Sequence, residues 1–135
     1  MTYDTIEEAF LFVSGAAPFE RTAVVHRKTG ETFYASLMSD YDELPEDLDE
    51  SDDYVGIPHK NDLGLGKPLV MDFVRSQCPE EVDRILTIFS RRGAYGRFKD
   101  LLEQNGLLDE WYVFEQQRTH QALLHWCEEN SIELE

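Results

Sequence analysis

Residues 22–37 run Thr22-Ala23-Val24-Val25-His26-Arg27-Lys28-Thr29-Gly30-Glu31-Thr32-Phe33-Tyr34-Ala35-Ser36-Leu37, and they predict a β-hairpin. Two segments rich in β-branched and aromatic residues flank Thr29-Gly30, a dipeptide suited to a tight turn. Alternate residues of a strand point to opposite faces of a sheet, so one face of the hairpin is predicted to be buried. The predicted buried residues are Val25, Phe33, Ala35 and Leu37, and Thr32, Tyr34 and Ser36 are predicted to point outward or sideways.

Helical patterns lie on both sides of this hairpin. Before it, Asp4 and Glu7 have the spacing of a capping box, and the apolar residues that follow predict a helix from about residue 5 to residue 14. A third strand is predicted near Tyr54, and after Lys67 apolar residues at helical spacing predict four helices. A small antiparallel β-hairpin or sheet with a mainly helical C-terminal half is an α+β fold.

An acidic loop is predicted at residues 40–53, which contain nine acids, no base and Pro45. Proline discourages helix and strand, and a run of like charges repels itself, so the loop is expected to be solvated. A Ca²⁺ site and mimicry of a phosphate backbone are the alternatives for such a run. The EF-hand ligand order fails, because the sixth position counted from Asp47 is Asp52 rather than glycine.

Length and composition predict a single domain over residues 1–135. The formal net charge of -16 makes binding to nucleic acid or to anionic membranes unfavourable and favours a basic protein partner. No apolar run approaches the length of a membrane helix, and the N-terminal residues do not resemble a secretion signal. The chain has two cysteines, Cys78 and Cys127, which are far apart in the sequence. This favours reduced thiols over a disulfide framework, so a cytoplasmic location is expected.

A cationic segment interrupts the acidic background at residues 91–99. Its bases are Arg91, Arg92, Arg97 and Lys99. Because flanking glycines let a ligand approach the backbone and a helix N-terminus favours negative charge, this segment predicts an anion-binding site. The alternative is that Arg97 and Lys99 form surface ion pairs with nearby acids such as Asp100 and Glu103.

Three aromatic residues near this segment, Tyr95, Trp111 and Tyr112, are candidates for an aromatic surface or pocket. The alternative is that Trp111 and its neighbours pack in a corner between helices.

The sequence contains no recognisable catalytic set. His120 and His125 are five residues apart on a predicted helix, which points them in different directions and is wrong for one metal ion. The segment ending at Lys67 lacks the Ser or Thr of a nucleotide-binding loop, so no catalytic residue, metal or cofactor is predicted. Cys78 precedes a predicted helix start that could lower its pKa, and the alternative is a buried structural cysteine.

The C-terminal half resembles a bacterial family known as uncharacterised protein family 0158. The matching motifs are Arg91-Arg92-Gly93-Ala94-Tyr95-Gly96-Arg97-Phe98-Lys99-Asp100, Gly106-Leu107-Leu108-Asp109-Glu110-Trp111-Tyr112, and the residues from Leu124 to Asn130. The resemblance covers roughly residues 54–132 and extends to the turn at Gly30. It implies a bacterial origin and a cytosolic compartment, and it implies no activity.

Two functional interpretations follow from these observations. The first is a non-enzymatic interaction module whose acidic face meets a protein partner, with a homodimer as one form of association. The second is a small enzyme or ligand-binding domain that recognises an anionic molecule through the segment from Arg91 to Lys99. Arginines without carboxylate partners would favour the second interpretation, and arginines paired with acids would favour the first.

Overall fold

The predicted hairpin is confirmed by the computed structural model, which describes residues 1–37, 39 and 41–135. Strands β1 (Arg21–His26) and β2 (Thr32–Ser36) pair antiparallel, with Val24 opposite Phe33. Gly30 lies in the connecting turn with a φ of 79°, a left-handed conformation that glycine adopts without a steric cost.

Two shorter strands extend the hairpin into a four-stranded sheet of order β3-β2-β1-β4. The predicted third strand is β4 (Tyr54–Gly56), which pairs antiparallel with β1. Strand β3 (Tyr41–Asp42) pairs with β2 and was not predicted, because it lies within the acidic loop. Asp40, the first acid of that loop, lies outside the described residues, and residues 43–53 form turns and irregular backbone.

The predicted buried face of the hairpin is wrong. Val25 is opposite Thr32, so Val25 and Phe33 lie on opposite faces of the sheet. Tyr34, predicted to point outward or sideways, packs edge-on against Phe12 of the first helix at 5.0 Å between ring centres. Leu37 is 83% exposed, because β2 ends at Ser36 and the alternation does not continue beyond it. Both faces of β2 are therefore half-covered.

Helix α1 (Tyr3–Ser14) buries the four predicted apolar residues Ile6, Ala9, Phe10 and Val13. The predicted capping box is wrong, since the helix begins one residue before Asp4 and its N-cap is Thr2. Glu7 instead accepts a hydrogen bond of 3.1 Å from the Tyr3 hydroxyl, one helical turn earlier.

The four predicted C-terminal helices are confirmed as α2 (Lys67–Gln77), α3 (Val82–Ile88), α4 (Ala94–Gln104) and α5 (Leu108–Glu129). The segment Pro79–Glu81, predicted to open an α-helix, forms a separate 3₁₀ turn. Within α3, Ile85 is the one fully buried residue, and Leu86, predicted on the same apolar stripe, is exposed.

Trp111 lies in an aromatic cluster within these helices. It is 1% exposed and meets Phe73 and Phe98 edge to face, at 5.4 and 5.0 Å between ring centres. Phe114 also packs on Phe73, at 5.3 Å. Such edge contacts add to the stabilisation from burial of large apolar surfaces.

The chain divides into two compact units. We call Met1–Leu63 with Gln121–Glu135 the sheet unit, and Gly64–His120 the helical unit. The division passes through α5, so this one helix belongs to both units. Among the described residues, no helix has the length and apolar character needed to cross a lipid bilayer.

Candidate functional site

The cationic segment lies at the start of α4. Arg91 and Arg92 are exposed and precede Gly93, whose φ of 73° reverses the chain into the helix. Arg97 follows on the first turn and is also exposed. Lys99 is half-buried, with its ammonium nitrogen 5.5 Å from the centre of the Tyr112 ring.

These bases do not form the ion pairs that the sequence allowed. Within the described part of the chain, no carboxylate oxygen lies within 4.0 Å of Arg91, Arg92, Arg97 or Lys99. The Lys99 ammonium instead makes a cation–π contact, and the three guanidinium groups face solvent. Their donors are consequently available to an anion.

A groove between α3 and α4 contains one of these arginines. Its volume is about 260 Å³, and its lining residues are Arg84, Ile88, Arg97, Asp100, Leu101 and Gln104. Arg84 lies 3.7 Å from Glu81, which is too long for a strong charge-assisted hydrogen bond. The groove therefore offers two guanidinium groups over an apolar floor, with one carboxylate that reduces its positive potential. Arg91, Arg92 and Lys99 do not line it.

The three predicted aromatic residues do not form one surface. Trp111 is buried, which confirms the alternative of packing between helices. Tyr95 is half-buried against Phe89, at 5.1 Å between ring centres. Tyr112 is exposed beside Lys99. Only Tyr112 presents much of its ring to solvent.

Both thiols are buried, and burial raises the pKa of each. Glu80 and Glu81 raise the pKa of Cys78 further, so the suggestion that a helix end lowers it is wrong. The helix start that motivated this suggestion is a short 3₁₀ turn carrying two acids. A thiol with a raised pKa is a poor nucleophile at neutral pH.

His59 is a structural residue that the sequence left unassigned. It is 6% exposed, and its Nε2 lies 2.8 Å from the carbonyl oxygen of Ala16. Its Nδ1 accepts a hydrogen bond of 3.0 Å from the backbone N–H of Asn61. These two contacts fit a neutral imidazole protonated on Nε2, which joins the end of α1 to the segment after β4.

An exposed cluster at one end of the sheet was missed by sequence reasoning. It comprises Phe19, Leu37 and Tyr41, and we call it the apolar patch. Phe19 is 89% exposed and Tyr41 is 47% exposed. The Leu37 N–H donates a 2.9 Å hydrogen bond to the carbonyl of Glu20, next to Phe19, and Tyr41 is paired with Ser36, next to Leu37. Phe19 lies in the turn before β1, Leu37 directly follows β2 and Tyr41 begins β3, so these three segments meet at one end of the sheet. The sequence periodicity predicted Leu37 to be buried and gave no signal for Phe19 or Tyr41.

A concavity of about 350 Å³ adjoins this patch. Its lining includes Thr22, Ala35, Leu37, Tyr41 and Asp42. The Tyr41 hydroxyl donates a hydrogen bond to Glu43, which orients that carboxylate beside the patch. The site therefore combines exposed apolar groups with negative charge.

Charge is distributed unevenly between the two units. The sheet unit contains 19 Asp and Glu and 4 Lys and Arg, whereas the helical unit contains 9 Asp and Glu and 8 Lys and Arg. Two of the four bases in the sheet unit are engaged locally: Lys28 lies 3.5 Å from Asp53, and Arg21 stacks on Phe12. The negative potential is thus concentrated in the sheet unit.

Comparison with known proteins identifies a family for this chain. A family model described as Uncharacterised protein family (UPF0158) matches residues 6–135. No curated protein and no solved structure gives a significant match.

Proposed function

Because this chain belongs to UPF0158, a family described as uncharacterised, we propose its function from its surface: a cytoplasmic, non-enzymatic interaction module whose acidic sheet unit binds a basic protein partner. The main evidence for this proposal is the excess of 19 acids over 4 bases in that unit. Such a surface attracts cationic partners over distances set by the ionic strength, and it repels nucleic acid and anionic lipid.

Two further observations support binding rather than catalysis. The thiols of Cys78 and Cys127 are buried with raised pKa values. The ring nitrogens of His59 are occupied by backbone groups. A homodimer, if it forms, is expected to use the helical unit, since its nearly balanced charges oppose self-association far less than those of the sheet unit.

The test is affinity capture from the native host's lysate with the wild-type protein and a triple variant, Glu46→Gln/Asp49→Asn/Glu50→Gln. These three side chains are exposed, and their charges are removed with little change in shape. We expect a basic protein to be retained at about 0.1 M salt, lost from the variant, and released as salt shortens the screening length.

A matched control removes three exposed acids from the helical unit, by Asp83→Asn/Glu103→Gln/Glu110→Gln. This variant has the same net charge as the first and is expected to retain the partner. Equal loss from both variants would show an effect of total charge only, and it would contradict a role for the acidic loop. A nuclease treatment that releases the captured material would contradict the proposal of a protein partner.

A second candidate function is recognition of a small anion in the α3–α4 groove, the interpretation that arginines without carboxylate partners favour. We place it second because Asp100 also lines the groove, whereas Arg91, Arg92 and Lys99 lie outside it. It is favoured by the exposure of Arg97 without a carboxylate within 4.0 Å among the described residues, together with Arg84 in the same groove. Pyrophosphate is a suitable probe, because guanidinium groups donate paired hydrogen bonds to phosphate oxygens.

Thermal unfolding with and without pyrophosphate tests this candidate. A bound anion is expected to raise the midpoint with the logarithm of its concentration once that concentration exceeds the Kd, and Arg97→Ala should remove the increase. Arg75→Ala is the control, since Arg75 is an exposed arginine of α2 outside the groove. An equal increase in the Arg97→Ala protein would exclude the groove.

A further inference from the structure

We propose that the apolar patch of Phe19, Leu37 and Tyr41 is the docking surface for a basic, apolar-bearing segment of a partner protein. The inference rests on the proposed interaction function and assigns it to particular residues. It adds that binding requires burial of apolar side chains as well as charge attraction.

The exposure of these side chains is the first argument. Phe19 and Leu37 are 89% and 83% exposed, the highest values among the large apolar residues described. Clusters of exposed apolar side chains with a polar rim are typical of interaction sites in soluble proteins. Backbone contacts place Leu37 beside Glu20, the neighbour of Phe19, and Tyr41 beside Ser36, the neighbour of Leu37, so the three segments lie at the same end of the sheet.

The backbone of Phe19 is the second argument. Its φ is 73°, in the left-handed region, which costs an L-residue roughly 1–2 kcal/mol relative to the right-handed region. A large aromatic residue is rarely held there, and the conformation gains nothing from burial of the ring. Strained backbone of this kind clusters at binding and active sites, where the surrounding structure holds it in place.

Charge identifies the occupant. Glu20 precedes β1, and Asp42 and Glu43 lie beside Tyr41. The base nearest to the patch in sequence, Arg21, donates to the Phe12 carbonyl at 3.1 Å and stacks on the Phe12 ring, and its single charge offsets at most one of these three acids. A cationic segment is therefore attracted, whereas a second copy would bring the same acids together. The adjoining concavity, about 350 Å³, is at the small end of the range of ligand pockets and suits side chains of a peptide segment.

The proposal is tested with short synthetic peptides, using fluorescence anisotropy. The probes are an alternating Lys/Leu peptide, a Lys/Ser peptide with the same charge, and a Glu/Leu peptide with the same apolar groups. We expect the Lys/Leu peptide to bind at least about tenfold more tightly than either of the others, since only it satisfies both requirements.

Two variants locate the binding surface. Phe19→Asn/Leu37→Ser should weaken binding of the Lys/Leu peptide by about tenfold or more, as expected for loss of exposed apolar anchors. Asparagine tolerates a left-handed backbone, so the fold should be retained, and urea unfolding checks this. The control is Val113→Ser, which removes an exposed apolar side chain from the helical unit and should leave binding unchanged.

The outcomes separate this inference from the broader proposal. Unchanged Lys/Leu affinity in Phe19→Asn/Leu37→Ser, with loss in Glu46→Gln/Asp49→Asn/Glu50→Gln, would overturn the docking surface and leave the acidic interaction module standing. Unchanged affinity in both would overturn both. A wild-type dimer in sedimentation velocity that becomes monomeric in Phe19→Asn/Leu37→Ser would assign the patch to a second copy and overturn the basic segment as its occupant.

Discussion

The helical unit nearly balances its charges, with 9 acids and 8 bases, whereas the sheet unit carries 19 acids and 4 bases. Unpaired like charges oppose compaction, so the acidic excess weakens the unit that holds it. The same unit exposes Phe19 and Leu37 almost completely, while the helical unit buries Trp111 and Phe98. Both units bury an apolar core, so the contrast lies in their surfaces. We propose that the sheet unit gives up some stability to maintain a binding surface.

The contrast also changes the interpretation of the cationic segment as an isolated positive region in an acidic protein. Eight of the 12 bases lie within Gly64–His120, so Arg91, Arg92, Arg97 and Lys99 belong to a unit that is already close to neutral. An anion approaching Arg97 meets a balanced local surface, and the repulsion expected from the net charge of the whole chain is weaker there.

The largest effect is expected from Trp111→Ala in the helical unit. Removal of a buried aromatic side chain that contacts Phe73 and Phe98 should lower the free energy of unfolding by about 3–5 kcal/mol. Urea unfolding followed by the fluorescence of Trp126, which lies in the sheet unit, measures the loss. Because α5 belongs to both units, we propose that they unfold together as a single domain and that the Trp126 transition shifts with the transition in helical circular dichroism.

Tyr112→Ala is the control for this substitution. Tyr112 is the next residue on α5, is exposed, and contributes a cation–π contact with Lys99, so its loss should cost below about 1 kcal/mol. In Trp111→Ala, the urea midpoint of Trp126 fluorescence could stay unchanged while part of the helical circular dichroism is lost at lower urea. This result would show that the two units unfold independently. The proposal of a single domain would then be abandoned.

A smaller effect is expected in the sheet unit from His59→Ala. The substitution leaves the Ala16 carbonyl and the Asn61 N–H without their partner, at a cost of about 1–3 kcal/mol. His125→Ala is the matched control, because His125 is an exposed histidine of the same unit and its loss should change stability by less than about 0.5 kcal/mol. Equal denaturation midpoints for the two variants would show that the His59 contacts do not hold α1 to the segment after β4.

Periodicity predicted most of the fold because apolar spacing directly specifies which face of an element is buried. Ile6, Ala9, Phe10 and Val13 of α1 were predicted from spacing alone and are buried. The buried face of the hairpin was predicted wrongly, because pairing of Val25 with Thr32 sets the register and is not visible within either strand. Strand β3 was missed because two residues surrounded by acids carry no periodic signal.

The candidate site was less accessible to sequence reasoning, since it depends on distances between side chains. Whether Arg97 pairs with Asp100 depends on side-chain rotamers, so the sequence left both an anion site and surface ion pairs open. Phe19 gave one signal that could have been used, an aromatic residue directly after Pro18 in a segment without periodicity. Its left-handed backbone and its proximity to Leu37 required coordinates.

Phe19→Gly is expected to stabilise the protein. This variant tests the proposal that the sheet unit gives up stability to maintain its surface. Glycine adopts a φ of 73° without steric cost, and the lost side chain is almost fully exposed, so the free energy of unfolding should rise by about 1 kcal/mol. Phe19→Ala is the control, because alanine keeps the unfavourable Cβ and should give no gain. Urea unfolding measures both, and equal stability of the two variants would remove backbone strain as an argument for the apolar patch.

The smallest effect concerns Tyr3 at alkaline pH. Burial raises the pKa of Tyr3 above its usual value of about 10, and Glu7 raises it further. The folded state therefore holds the phenolic proton more tightly than the unfolded state, and the resulting stability is complete below pH 10 and is lost as pH rises through the folded pKa. Solvent screening of this half-buried group should limit the loss to below about 1 kcal/mol at pH 11.

Tyr3→Phe should flatten the slope of unfolding free energy against pH above about pH 10, measured by urea unfolding. In the helical unit, burial likewise raises the pKa of Tyr95, so Tyr95→Phe provides the comparison. An unchanged slope in Tyr3→Phe would contradict a role for this phenol, and a flatter slope in Tyr95→Phe would assign part of the alkaline sensitivity to the helical unit.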